Sequence, residues 1–121
     1  LIAINAEGCN RAALVSATTN QLVTQFPCIE KNFDSNMVGG GFVENKDGTL
    51  YLALGDPARY WAKEGWKSFD NSLSQDPESP YGKVLRVVNW SNLDSEAVLD
   101  LKIFASGLRN PQGMTTSSNG A

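Results

Sequence analysis

Histidine is absent from the sequence. That removes the side chain best suited to exchanging protons near neutral pH, and it excludes zinc sites of the usual kind. Cysteine occurs only as Cys9 and Cys28, which do not form a metal-ligand spacing. The two either join as a disulfide in an oxidising compartment or stand as separate buried thiols. Basic residues are outnumbered: 10 Lys and Arg face 13 Asp and Glu, a formal net charge of -3. A nucleic-acid binder would need a basic face to neutralise phosphates, and a polybasic signal for anionic membranes is equally missing. No apolar run approaches the roughly 18 residues of a membrane-crossing helix. The apolar start at Leu1 to Ile4 is short and follows no basic stretch, so it does not read as a signal peptide. Because the first residue is not Met, the sequence is expected to begin inside something longer or to have been processed.

What is present is a compact, core-forming chain. Apolar residues make up 41% of 121, enough for a packed interior in one domain. Short alternating or apolar runs separated by turn residues predict strands at Leu1–Asn5, Ala12–Thr19, Gln21–Phe26, Gly41–Glu44, Leu50–Leu54, Gly82–Val88 and Leu101–Ala105, with a fainter eighth at Gly113–Thr116. Asp47-Gly48 between two of them predicts a hairpin of type I′. Leu50, Leu52 and Leu54 fall on one side of their strand, and Tyr51 and Ala53 on the other. A strand apolar on both faces suits a sheet sandwiched between neighbours, as in a propeller blade. The fold expected is all-β, with about eight strands forming two four-stranded blades. Residues 57–81 form a long loop on the top face, of the kind that is often functional. Within it Trp66, Phe69 and Leu73 have the spacing of a short helix. Asn89-Trp90-Ser91 matches a glycosylation sequon, which matters only in a secreted eukaryotic protein.

Three segments carry a resemblance. Asn36-Met37-Val38-Gly39-Gly40, Asp47-Gly48-Thr49-Leu50-Tyr51 and Leu54-Gly55-Asp56 form the first. Gln75-Asp76, Ser79 and Gly82-Lys83-Val84-Leu85-Arg86 form the second. Gly107-Leu108-Arg109-Asn110-Pro111-Gln112-Gly113-Met114 is the third. In order and spacing the set resembles the glucose/sorbosone dehydrogenase family, which is similar to soluble aldose dehydrogenases. The resemblance implies a six-bladed propeller, pyrroloquinoline quinone (PQQ) and calcium on its top face, hydride transfer from the anomeric carbon of a sugar, and export to the periplasm or beyond the cell. The remaining blades, from the same chain or a protein partner, would have to complete the ring.

Carried onto these residues, Arg109 and Asn110 take the place of the cofactor-binding pair, and Gln75 would approach the cofactor. Arginine suits the task because its planar fork pairs with a carboxylate and stays charged. Asp56 would orient the catalytic base. The base itself, a histidine in the family, is Met37 here, a thioether that cannot take up the hydroxyl proton. Asp56, Asp70 and Asp76 are the oxygen donors at hand for calcium, without an EF-hand spacing. Lys83 reads as a charge on a strand edge, and Trp61 and Trp66 as anchors of their own loop. Two functional readings stay open. One is an active sugar dehydrogenase completed by a longer chain, favoured by the motifs. The other is a propeller without turnover that serves binding or scaffolding, favoured by Met37.

Overall fold

The computed structural model describes residues 2–6, 9–30, 40–56, 59–60, 69–70, 72–88 and 100–118. Met37, Trp61, Trp66 and the sequon at 89–91 lie outside them. The chain is all-β as expected, with strands β1 (Ile2–Ala6), β2 (Cys9–Val15), β3 (Leu22–Gln25), β4 (Ile29–Glu30), β5 (Gly40–Glu44), β6 (Leu50–Leu54), β7 (Arg59–Tyr60), β8 (Phe69–Asp70), β9 (Lys83–Val87) and β10 (Leu101–Ser106). A single turn of helix, α1 (Ser72–Gln75), precedes β9. The strands build two four-stranded antiparallel sheets, as two propeller blades would, and β7 pairs with β8 in a small ribbon.

In the first sheet β1 flanks one side of β2, while β3 and β4 both pair with β2. The interruption between β3 and β4 falls at Pro27, which has no N–H to give to a ladder. Phe26 N–H still reaches Ala12 O at 2.9 Å. Tyr81, from outside this sheet, then enters the gap. Its hydroxyl accepts from Ala12 N–H at 3.3 Å and donates to Pro27 O at 2.7 Å. The phenol thus relays a ladder bond that the proline break would otherwise leave open. Beside this junction Cys28 is disulfide-bonded; the one other cysteine in the sequence is Cys9, which opens β2 opposite Glu30.

The second sheet runs β10-β9-β6-β5, so the all-apolar β6 is a central strand, as its sequence predicts. Its inner face seats on the first sheet: Leu52, Leu54 and Leu85 pack with Ala12, Phe26, Ile29 and Tyr81. Leu50 and Val87 continue that contact against Leu14 and Val23. On the opposite face Tyr51 and Phe104 meet edge to face, with ring centres 5.0 Å apart. Phe104 remains 65% exposed there.

Four expectations need correction. The second strand stops at Val15 rather than Thr19, because hydroxyls capture the backbone: Ser16 Oγ accepts Thr19 N–H and Thr19 Oγ1 accepts Gln21 N–H. Asn20 closes that turn at φ 55°. The β5–β6 hairpin is not type I′. Gly48 N–H bonds Asn45 O, Asn45 N–H bonds Thr49 O, and of Asp47 and Gly48 only Gly48 has positive φ, at 80°. That is a type I turn closed by a left-handed glycine, a three-residue loop. Asp47 Oδ1 accepts Thr49 N–H, and this bond holds its carboxyl below 3.8. Gly113–Thr116 forms no strand. Pro111 and Gly113 break the pattern, and the segment lies over the outer face instead, where a methyl at Gly41 would meet Gly113 Cα at 3.5 Å. Finally, no helix spans Phe69 to Leu73: Phe69 belongs to β8, and α1 holds only Ser72–Gln75. The 57–81 segment therefore carries a ribbon and a helical turn rather than loop alone.

Candidate functional site

The three sequence segments meet at one end of the second sheet. In the antiparallel register Leu54, at the end of β6, faces Lys83, at the start of β9, and Lys83 faces Ser106, at the end of β10. Gly55-Asp56, the turn before β9 and Gly107–Asn110 therefore all leave the sheet at the same edge. β5 begins there too, since Gly40 pairs with Leu54; Met37, three positions earlier in sequence, is outside the described residues.

Backbone bonds tie these exits together. Asp56 N–H donates to Arg109 O at 2.7 Å, Leu108 N–H to Gly82 O at 3.0 Å, and Gly107 N–H to Ser74 O at 3.2 Å. Gly82 is required for this approach. It holds φ +71°, and a methyl on it would lie 2.4 Å from Ser74 Cβ, 2.6 Å from Ser74 Cα and 2.9 Å from Leu108 O. Gly107, at φ +83°, brings its backbone near Gln75: a methyl there would be 3.6 Å from the Gln75 amide nitrogen.

Asp56 is the most enclosed acid described, 1% exposed. Its Oδ2 accepts Ser74 N–H at 2.9 Å, whereas Oδ1 is buried with no hydrogen-bond partner among the described residues. A buried carboxylate oxygen left without a donor is costly, and native structures rarely tolerate one without a reason. Arg109 and Asn110 are half-buried, and Gln75 is exposed on α1. The predicted residues Asp56, Gln75, Arg109 and Asn110 are thus held at one edge by short main-chain links.

Lys83 departs from its expected place. It is 1% exposed rather than an edge charge. Its ammonium donates to Leu73 O at 2.7 Å, Ser74 O at 2.8 Å and Tyr81 O at 3.1 Å. Burial pushes its pKa below 10.5, and the nearby charges of Asp76 and Asp56 pull it back up. Ser74 was passed over by sequence reasoning, and Lys83, though within the second motif, was placed at the strand edge. The available signal was Gly82-Lys83 at a strand start, where a long cation can turn inward only if carbonyls await it.

Asp76 Oδ1 is used by Glu78 N–H, and among the described residues no three His, Cys, Asp or Glu cluster around a point fit for a metal ion.

The profile of the glucose/sorbosone dehydrogenase family matches residues 5–121. The chain belongs to that family. No curated protein and no solved structure matches it significantly. In this chain the motifs that carry the resemblance coincide with the converging edge: the second and third contribute Gln75, the Gly82 turn and the Arg109 loop, and the first contributes Asp56. Among the described residues no helix is long and apolar enough to cross a membrane.

Proposed function

We propose that this chain is a segment of a sugar dehydrogenase-like propeller that keeps a cofactor-facing edge but is impaired in turnover. It would act as a binding or scaffold module of an extracytoplasmic assembly. The single observation behind this reading is Asp56: a buried carboxylate, pinned by Ser74 N–H, whose Oδ1 has no donor among the described residues. Such an oxygen suits an acid meant to steer a ring N–H. The position that carries a histidine in the family is Met37, whose side chain has no N–H to offer.

The donor set suits the cofactor better than it suits the reaction. PQQ bears three carboxylates and, when bound, supplies a quinone that accepts hydride. Arg109 could pair with a carboxylate through its fork, and the amides of Asn110 and Gln75 could donate beside it. Each would orient the ligand, and none is a base for a sugar hydroxyl. Asp56 would hold its neighbours rather than move a proton. Among the described residues no cluster of carboxylates marks a place for calcium.

Two further features favour the extracytoplasmic assembly. The disulfide at Cys28 fits an oxidising compartment. On the outer face of the second sheet Phe104, 65% exposed beside Arg86 and Lys102, suits contact with a neighbouring blade or a protein partner. The competing reading is an active PQQ- and calcium-dependent aldose dehydrogenase completed by a longer chain, and the retained Asp56–Arg109 link favours it.

Titrating the full chain with PQQ and calcium, read by tryptophan fluorescence, separates these. Saturable binding at micromolar Kd, roughly -8 kcal/mol, without dye-linked sugar oxidation supports a binding module. Met37→His should then introduce activity. Oxidation by the wild-type chain would overturn the impairment. No binding up to millimolar PQQ in a folded chain would remove the cofactor from the reading.

A further inference from the structure

Lys83 is a buried cation that none of the roles above uses. A lysine has three N–H donors, and here each finds a backbone carbonyl: Leu73, Ser74 and Tyr81. Two of these belong to α1, a four-residue turn too short to satisfy its own last carbonyls. Without the ammonium Leu73 O would lose this donor, and Ser74 O would be left to Gly107 N–H. A methionine would fill the same space with no desolvation to overcome, so packing alone does not call for a charge here.

Ser74 is the point through which the clamp acts. Its carbonyl receives Lys83 Nζ and Gly107 N–H, while its own N–H reaches Asp56 Oδ2. Gln75 follows it directly in the helical turn. We infer that Lys83 is a positioning residue for the ligand edge: by fixing Ser74 it sets the direction of the Asp56 carboxylate and the place of the Gln75 amide. Its relevance to PQQ rests on the proposed function; its hold on Ser74 and Asp56 does not. Burial lowers the Lys83 pKa, and the charges of Asp76 and Asp56 oppose that shift in favour of the protonated form.

The test uses the full chain labelled for NMR. Amide exchange of Ser74 is compared with that of Leu52 and Leu85 in the wild type, Lys83→Met and Lys83→Gln, and PQQ is titrated against each. In Lys83→Met, Ser74 protection should fall by about tenfold or more, which a bond to a charged group is worth, while Leu52 and Leu85 keep theirs. PQQ should weaken by a similar factor. Lys83→Gln, which retains two donors, should recover part of both. Unchanged Ser74 protection, or an equal fall at all three amides, overturns the inference. So does a selective fall at Ser74 with PQQ affinity unaltered. Should the wild type bind no PQQ, the functional reading fails and Ser74 exchange alone decides the role of Lys83. If neither variant folds, the wild type still decides: a clamped ammonium gives a slowly exchanging Lys83 nitrogen signal at neutral pH, and a solvent-averaged one refutes the clamp.

Discussion

Replacing Gly82 by alanine tests whether the three motifs are held together by close backbone contact. Two costs are expected. The first is conformational, since a left-handed L-residue costs about 1–2 kcal/mol. The second is steric. The new methyl would fall 2.4 Å from Ser74 Cβ, 2.6 Å from Ser74 Cα and 2.9 Å from Leu108 O. Two of those neighbours are backbone atoms, so no side-chain rotation relieves the clash. Helix α1 must move away from β9, and Ser74 N–H leaves the Asp56 carboxylate. Losing that charge-assisted bond adds about 1.5–3 kcal/mol, for a total of about 3 kcal/mol or more. Gly48→Ala is the control. Its φ of +80° imposes the same conformational cost, but nothing lies within 4 Å of a methyl there. Urea unfolding of both variants, followed by tryptophan fluorescence, should place Gly82→Ala below Gly48→Ala by about 1.5 kcal/mol or more, the worth of the charged hydrogen bond. Equal losses would mean that the close approach contributes nothing, and the account of the converging edge would be wrong.

Further predictions concern the junction of the two sheets. Tyr81→Phe removes the hydroxyl between Ala12 N–H and Pro27 O, and should cost about 1–3 kcal/mol in urea unfolding. Burial raises the Tyr81 pKa above 10.0, so past that pH the unfolded chain ionises first and the folded state holds more protons. Wild-type stability should therefore fall relative to Tyr81→Phe as pH rises past 10.0 and hold steady well below it; a constant difference across that pH would refute the buried phenol. Reducing the disulfide of Cys28 should cost about 2–4 kcal/mol, seen as a lower melting temperature with reductant. A Cys28→Ser variant should show no further response to reductant.

The centres of the strands were legible because burial imposes a period of two, and β6 is central for the reason its sequence suggests. Boundaries were less legible where side chains compete with the ladder. Ser16 and Thr19 end β2 by bonding backbone groups that a strand would need. Asp47-Gly48 marks a hairpin, yet the same pair suits both a two-residue turn and a three-residue one, and the bonds of Asn45 select the latter. Asp56 could be located through its motif. Lys83 lay in a motif too, but its inward role was not legible, because its partners are main-chain carbonyls up to ten residues earlier, and a strand lysine otherwise reads as solvated. Tyr81 was hidden in the same way, since its role depends on a gap in a different sheet.

The break at Pro27 also bears on what can attach to the first sheet. An uninterrupted strand from Leu22 to Glu30 would offer incoming chains a long row of free donors and acceptors. Proline withholds one donor at the middle of that row, and its carbonyl is already claimed by Tyr81. A foreign strand adding here would lose its pairing halfway along and keep only two short stretches. The same irregularity that lets one sheet grip the other thus guards the edge against templated β-aggregation.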